Sequence, residues 1–186
     1  MNFEEAVLPH IDAAYNLARW LTRNDHDAQD VVQESYLRAL KSFGGFHGSD
    51  GRPWLLTIVR NTCYTWLKRH RSPKLTEFDE AIHVRQTDQP DPEASLVRSA
   101  QKRLVREALE SLPVEFREVM VMRELEELSY KEIAAMAGIP VGTVMSRLAR
   151  ARKRLQASLG GERSSGSTKA LSLISQTCSE QAECMS

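Results

Sequence analysis

The stretch 143–154, near the C-terminal end, is rich in side chains that bind nucleic acid. It holds five basic residues and no acidic residue. Guanidinium and ammonium groups bind phosphates, and arginine can form paired hydrogen bonds with guanine in the major groove. The candidate contacts are Thr143, Ser146, Arg147, Arg150, Arg152, Lys153 and Arg154. The pattern favours DNA binding over its alternative, the solvated basic end of an ordinary helical bundle.

The residues around this stretch predict the elements that position it. At 3.6 residues per turn, one narrow apolar stripe can face a core while the polar side chains share an adjacent face. The stripe is Val144, Leu148, Ala151 and Leu155. Ser129 and Glu132 form a capping box that starts a shorter helix, which ends near Ala137. Gly138 supplies a turn and Pro140 stops the first helix, so the segment predicts a helix-turn-helix.

The N-terminal half also shows helical spacing and no alternation typical of strands. Asp27 is predicted to cap a helix whose apolar residues include Val31, Leu37 and Leu40. Pro53 is predicted to open the next helix, which ends on basic residues. Its apolar residues, expected in the core, are Trp54, Leu55, Ile58, Val59 and Trp66. The fold class is therefore predicted to be all-α.

Composition divides the chain into two small helical domains. Residues 72–99 are acidic and proline-containing, which is typical of a flexible linker. The end of the chain is rich in serine and small polar residues, which predicts disorder. The expected organisation is one domain over 1–71, a linker over 72–99, a second domain over 100–159 and a disordered tail over 160–186.

The composition and motifs of the sequence disfavour several classes of protein. It has no apolar run long enough to span a membrane and an acidic N-terminus unlike a signal peptide, so we expect cytoplasmic location and no membrane insertion. No zinc-ligand spacing, phosphate loop or nucleophile setting stands out, so we expect no metal, no cofactor, no small-molecule substrate and no enzyme. His47 beside Asp50 in a glycine loop comes nearest to a catalytic pair. Cys178 and Cys184 are either two ordinary thiols or a redox pair.

Three motifs resemble a known family. Residues 27–43 and 52–71 resemble region 2 of bacterial sigma factors, and residues 108–155 resemble region 4. With only these two regions, the chain resembles the extracytoplasmic function (ECF) subfamily of the sigma-70 family. The resemblance implies binding to core RNA polymerase, recognition of −35 and −10 promoter elements and strand opening. The alternative is a stand-alone helix-turn-helix regulator with an N-terminal sensing or dimerisation domain.

The resemblance also implies roles for particular residues. The surface for the β′ clamp helices of polymerase would hold Asp27, Asp30, Gln33, Glu34 and Arg38, while region 4 would meet the β flap. The −10 element would be contacted by Phe46, His47, Gly48, Ser49, Arg60, Asn61, Tyr64, Lys68, Arg69 and Arg71. Of these, the loop over 46–51 resembles one that captures a flipped base. The basic helix 143–154 would read the −35 element, where Met145 and Ala149 depart from the larger polar, basic or aromatic residues frequent in relatives.

The formal net charge of +0 fits this interpretation. Acidic residues concentrate in 27–34, 77–93 and 107–127, where such a protein would meet polymerase or mask itself. A compact chain of this length has a radius of gyration of about 16 Å. The two promoter elements lie on the order of 70 Å apart, so a compact chain cannot touch both. We therefore expect a compact resting state that an anti-sigma factor can hold, and promoter binding only with polymerase.

Overall fold

The computed structural model describes residues 2–48, 50–70 and 103–159. These residues form helices and no strand, which confirms the all-α class. The helices are α1 Phe3–Val7, α2 Ile11–Thr22, α3 Asp25–Ser42, α4 Gly51–His70, α5 over 103–110, α6 Val114–Glu124, α7 Tyr130–Ala137 and α8 Val141–Ser158. Short 3₁₀ turns cover Leu8–His10 and Phe43–Gly45. The predicted linker and tail, with Cys178 and Cys184, lie outside the described residues.

Helices α2, α3 and α4 form the core of the N-terminal domain. The side chains that fill it include Leu17, Leu21, Val31, Leu56 and Val59. Trp54 and Trp66 are partly buried against this core, as their spacing predicted. Leu37 and Leu40, in contrast, are exposed. The apolar character of α3 is therefore only partly explained by packing.

The start of α3 differs from the prediction. Its cap is Asn24 and not Asp27, because the Asn24 side-chain oxygen accepts hydrogen bonds from the backbone N–H groups of His26 and Asp27. The distances are 2.8 and 3.1 Å. Asp27 lies in the first turn, where its negative charge still favours the helix N-terminus.

The start of α4 depends on a glycine. The helix begins at Gly51, with Pro53 inside its first turn. A Cβ added to Gly51 would lie 2.0 Å from the carbonyl oxygen of Ala6 in α1. Backbone from another helix occupies that space, so only glycine fits. This contact fixes α4 against α1 directly after the loop that resembles a base-capture loop.

The C-terminal domain contains the predicted helix-turn-helix. Ser129 and Glu132 form both hydrogen bonds of the capping box, at 2.7 and 3.2 Å. Gly138 ends α7 with φ of 65°, a left-handed conformation that glycine adopts without a Cβ penalty. Helix α8 buries the predicted stripe of Val144, Leu148, Ala151 and Leu155. The local part of the prediction is therefore confirmed.

The two domains pack against each other directly. Helix α6 contacts α2, and α7 contacts α4. Near this interface the buried Arg117 donates hydrogen bonds to the carbonyl oxygens of Glu110 (2.7 Å) and Leu112 (3.1 Å). Burial and, to a smaller extent, the nearby positive charge of Arg23 together lower the Arg117 pKa to about 10. Arg117 thus fixes the turn between α5 and α6 and so the orientation of α6.

Candidate nucleic-acid interface

Helix α8 presents most of its polar side chains to solvent. Ser146, Arg150, Lys153 and Arg154 are exposed, whereas Thr143, Arg147 and Arg152 are half-buried. The buried stripe anchors the helix on its inner side, so the outer side is accessible to a ligand. No acidic side chain belongs to α8. A helix with a basic, acid-free outer face can enter a major groove.

Two of these basic residues already have partners within the domain. Arg152 donates a hydrogen bond to the Glu124 carboxylate at 2.7 Å, and this contact raises the Arg152 pKa. The Arg154 guanidinium lies 5.0 Å from the centre of the Phe116 ring. Arg147, Arg150 and Lys153 form no ion pair with any residue that the structure describes, and of these three only Arg150 and Lys153 are exposed. Those two are therefore the cations of α8 most available to DNA.

On α4, two of the predicted −10 contacts are bound to the other domain. Arg60 donates through Nε to the Glu118 carboxylate of α6 at 3.0 Å, and the Tyr64 hydroxyl donates to the same carboxylate. The Arg60 guanidinium also stacks over the Tyr64 ring at 4.5 Å. Burial and the Glu118 charge raise the Tyr64 pKa. The neutral phenol is thus held as a hydrogen-bond donor in the packed arrangement.

The other predicted −10 contacts have mixed environments. Asn61, Lys68 and Arg69 are exposed along α4, and His47 and Gly48 are exposed in the preceding loop. Phe46 instead packs on Trp54, with ring centres 4.8 Å apart. Ser49 and Arg71 lie outside the described residues. An exposed row along α4 therefore remains accessible while Arg60 and Tyr64 are occupied.

The predicted polymerase surface lies on α3. Asp30, Gln33 and Glu34 are exposed, while Asp27 and Arg38 are half-buried. Arg38 forms an ion pair with Glu34 at 2.8 Å, one turn away. At about 100° per residue these side chains share one side of the helix.

Sequence reasoning missed two apolar members of the α3 surface. Leu37 and Leu40 are 56% and 51% exposed, beside the acidic residues. Helical spacing separates these two leucines from the core. The buried positions of α3 form one stripe, which holds Ala28, Val31, Ser35 and Ala39. Leu37 and Leu40 fall outside that stripe. A contiguous exposed apolar patch rimmed by polar residues is typical of a protein-binding surface.

Two further ion pairs join the domains. Arg52 at the start of α4 donates to the buried Glu126 carboxylate, after α6, at 2.7 Å. Burial raises the Glu126 pKa, while Arg52 opposes that shift. Arg19 of α2 lies 3.6 Å from the Glu110 carboxylate. Sequence reasoning missed Glu118 and Glu126 as well, since no local pattern marks them.

The described part of the chain offers no arrangement suited to a metal site or a membrane span. No group of three or more histidine, cysteine, aspartate or glutamate side chains is placed to hold a metal ion there. None of the helices in those ranges is long and apolar enough to cross a membrane. The features that stand out are thus the basic face of α8, the polar row of α4 and the acidic and apolar face of α3.

These features define a class of protein with two helical domains and a DNA-binding helix-turn-helix. The family model described as Sigma-70 region 2 matches residues 6–72, and the one described as Sigma-70, region 4 matches residues 102–155.

Two similar proteins have names that agree with these family models. The chain is 34% identical to the ECF RNA polymerase sigma factor SigE of Mycolicibacterium smegmatis, over 83% of this chain and 60% of that protein. It is 37% identical to the ECF RNA polymerase sigma-E factor of Haemophilus influenzae, over 75% of this chain and 77% of that protein.

A solved structure is also similar. The sigma factor RpoE of Bartonella quintana, in complex with the anti-sigma factor NepR, aligns with a TM-score of 0.69 and 30% identity, covering 87% of this chain and 98% of that one. The chain belongs to the ECF RNA polymerase sigma factors of the sigma-70 family. Sigma factors are transcription initiation factors that act with RNA polymerase and promoter DNA.

Proposed function

We propose that this chain binds core RNA polymerase, recognises −35 and −10 promoter elements and promotes strand opening at the −10 element. It thereby initiates transcription of a stress- or signal-responsive regulon in the cytoplasm. The observation that carries this proposal is the helix-turn-helix, in which α7 is capped and the outer face of α8 is basic and free of acid. Sigma regions 2 and 4 in one chain support it further, since a stand-alone regulator has no need of region 2.

Each surface has its own role in transcription initiation. The face of α3 with Asp30, Gln33 and Glu34 docks on the clamp helices of the β′ subunit, and the C-terminal domain meets the β flap. Helix α8 reads the −35 element through Arg147 and Arg150. Helix α4 and the loop before it contact the −10 element. The protein needs no bound cofactor and performs no covalent chemistry in this scheme.

Strand opening follows from binding a base outside the duplex. Exposed Lys68 and Arg69 hold the phosphates of the single strand. A base that leaves the stack can bind to the loop over 46–51 or stack on an aromatic ring such as Tyr64. Because such sites accept only an unpaired base, binding favours the open strand. No chemical fuel is required.

The packed domains represent a resting state in this proposal. Arg60 and Tyr64 cannot contact Glu118 and promoter DNA at the same time. Promoter binding therefore requires the domains to separate, and polymerase can hold them apart along the DNA. An anti-sigma factor would favour the inactive arrangement. The similar RpoE was crystallised with such a factor, which supports this partner class.

Run-off transcription tests the function. Core polymerase is mixed with the purified protein and a promoter library, and core polymerase alone is the control. We expect specific transcripts only when the protein is present, with shared −35 and −10 elements among the templates. Tight, sequence-specific binding to duplex DNA by the protein alone, without transcripts, would instead identify a stand-alone regulator.

A further inference from the structure

Helix α8 has an exposed apolar edge that packing does not explain. Val141 and Met145 are 38% and 53% exposed, and Ala149 is exposed one turn further on. At about 100° per residue these three side chains fall within roughly 80° of arc. The core stripe of the same helix is separate and complete, because its four members are buried. The edge is thus available to a partner.

The surroundings of this edge indicate which partner it meets. Lys153 lies about 40° beyond Ala149 on the exposed side of the helix and Arg150 about 60° further round, and α8 contains no acidic residue. Val141 and Met145 occupy the first two turns, and the N-terminal end of a recognition helix is the part that contacts base edges. An apolar edge bordered by cations matches a polyanion that offers apolar groups. DNA has such a group in the major groove, the C5-methyl of thymine.

We propose that Met145, supported by Val141, contacts thymine methyl groups in the −35 element and is a specificity-determining residue. The inference rests on the proposed function, because it requires α8 to occupy the major groove. The unbranched thioether side chain of Met145 can adapt to the position of a methyl group. Arg150, on the polar side of the helix, then contacts a neighbouring guanine. Together they specify an element in which thymine and guanine are adjacent or nearly so.

Removal of a single methyl group tests the contact. Holoenzyme assembled with the native chain selects promoters from a randomised library, and each enriched −35 thymine is replaced in turn by deoxyuridine. We expect one or two thymines to be enriched and their replacement to weaken holoenzyme binding by about fourfold, the effect of one buried methyl group. Met145→Ala should weaken binding to the thymine promoter and remove its difference from the deoxyuridine promoter.

A matched control variant is available on the same helix. Gln156 is exposed on the same side of α8, three turns towards the C-terminus. Gln156→Ala should keep the full response to deoxyuridine. Both substitutions are at exposed positions, so circular dichroism and thermal melting should match those of the native chain.

Three results would overturn the inference in distinguishable ways. Enriched promoters without sensitivity to deoxyuridine, or with equal sensitivity in Met145→Ala, would refute the methyl contact while the proposed function stands. A Met145→Ala variant that loses affinity for core polymerase instead would assign the edge to a polymerase subunit. No enriched promoter at all would refute the proposed function itself.

Discussion

Arg60 and Glu118 join the two domains through an ion pair with an N–O distance of 3.0 Å. The pair links α4 to α6 across 58 residues of sequence, and the Glu118 side chain is fully buried. Tyr64 donates its hydroxyl hydrogen to the same carboxylate. The group that stabilises the packed domains therefore holds two side chains assigned to the −10 element. We therefore expect domain packing and promoter binding to compete for the same atoms.

Glu118→Gln should shift the chain towards separated domains. The substitution preserves shape but leaves the Arg60 charge opposite a neutral amide, and removal of one partner from a buried ion pair costs about 3–5 kcal/mol. We expect the radius of gyration in small-angle X-ray scattering to rise above that of the native chain, for which full compactness would give about 16 Å. Binding of a single-stranded −10 oligonucleotide by the free protein should increase as well.

Glu115→Gln, on the same helix, is the matched control and should leave both measurements unchanged. An unaltered scattering curve for Glu118→Gln would show that the ion pair does not hold the domains together. Expanded scattering without stronger binding to the oligonucleotide would separate packing from promoter access and contradict the competition.

The sequence predicted the local parts of this architecture because their causes are local. The stripe of α8 and the capping box of α7 each depend on residues within about three turns of each other. The role of Glu118 depends on Arg60 and Tyr64, more than 50 residues away. No periodicity or motif predicts that these three residues come together. The sequence therefore could not predict that Glu118 binds Arg60 and Tyr64.

The error at the start of α3 has a similar physical origin. Asn24 and Asp27 can both cap a helix, and the composition of 24–27 does not separate them. The preceding helix ends at Arg23 in a left-handed conformation, with φ of 64°. The chain then returns to an extended backbone at Asn24, which is the conformation that a cap residue requires. The turn between α2 and α3 thus selects Asn24.

Cys63 should resist alkylation in the native protein. Burial raises the pKa of its thiol from 9.0 to about 12, and only the thiolate reacts. At pH 8 its thiolate fraction, and so its rate with iodoacetamide, should be about a thousandfold lower than for an exposed thiol. Since the native pKa is raised, the stabilising contribution of the neutral thiol is complete below pH 9 and is lost as pH rises towards 12.

The measurement uses Cys178→Ser with Cys184→Ser, so that Cys63 is the one remaining thiol. Labelling is followed by mass spectrometry, with the protein in denaturant as the fully reactive reference. Rapid labelling at pH 8 in a protein with native circular dichroism would contradict the burial of Cys63.

Leu37→Ala should weaken binding to core polymerase without destabilising the domain. Leu37 is 56% exposed on the α3 surface, so the fold gains little from it. Its burial against polymerase should contribute enough that truncation lowers affinity about tenfold. Fluorescence anisotropy with labelled protein and core polymerase measures this, and thermal melting checks stability.

Leu8→Ala provides the comparison, because Leu8 is also half-exposed but lies outside α3. We expect its affinity for core polymerase to match that of the native chain. Equal losses for Leu8→Ala and Leu37→Ala would show that general surface hydrophobicity, and not the α3 surface, determines binding.

Arg147 and Arg150 should differ from Lys68 and Arg69 in the kind of DNA contact that they make. Arg147→Ala or Arg150→Ala should relax −35 discrimination by roughly 10- to 100-fold, because a bidentate contact to guanine is worth about 1–3 kcal/mol. Lys68→Ala or Arg69→Ala should weaken holoenzyme binding to all promoters alike. Each should also reduce the slope of log affinity against log salt by about 0.7, the value for one phosphate of a single strand.

Arg152 provides a third case, because its guanidinium already donates a hydrogen bond to the Glu124 carboxylate at 2.7 Å. Arg152→Ala should lower the melting temperature of the C-terminal domain more than it alters −35 discrimination. Binding of holoenzyme to native and −35-substituted promoters over a salt series distinguishes base contacts from phosphate contacts. Thermal melting identifies the mainly structural role expected of Arg152. If Arg150→Ala leaves −35 discrimination unchanged and only reduces the salt slope, as expected for Lys68→Ala, both side chains contact only the DNA backbone. The −35 sequence would then have to be read by other residues of α8, with Met145 and Ser146 the nearest exposed candidates.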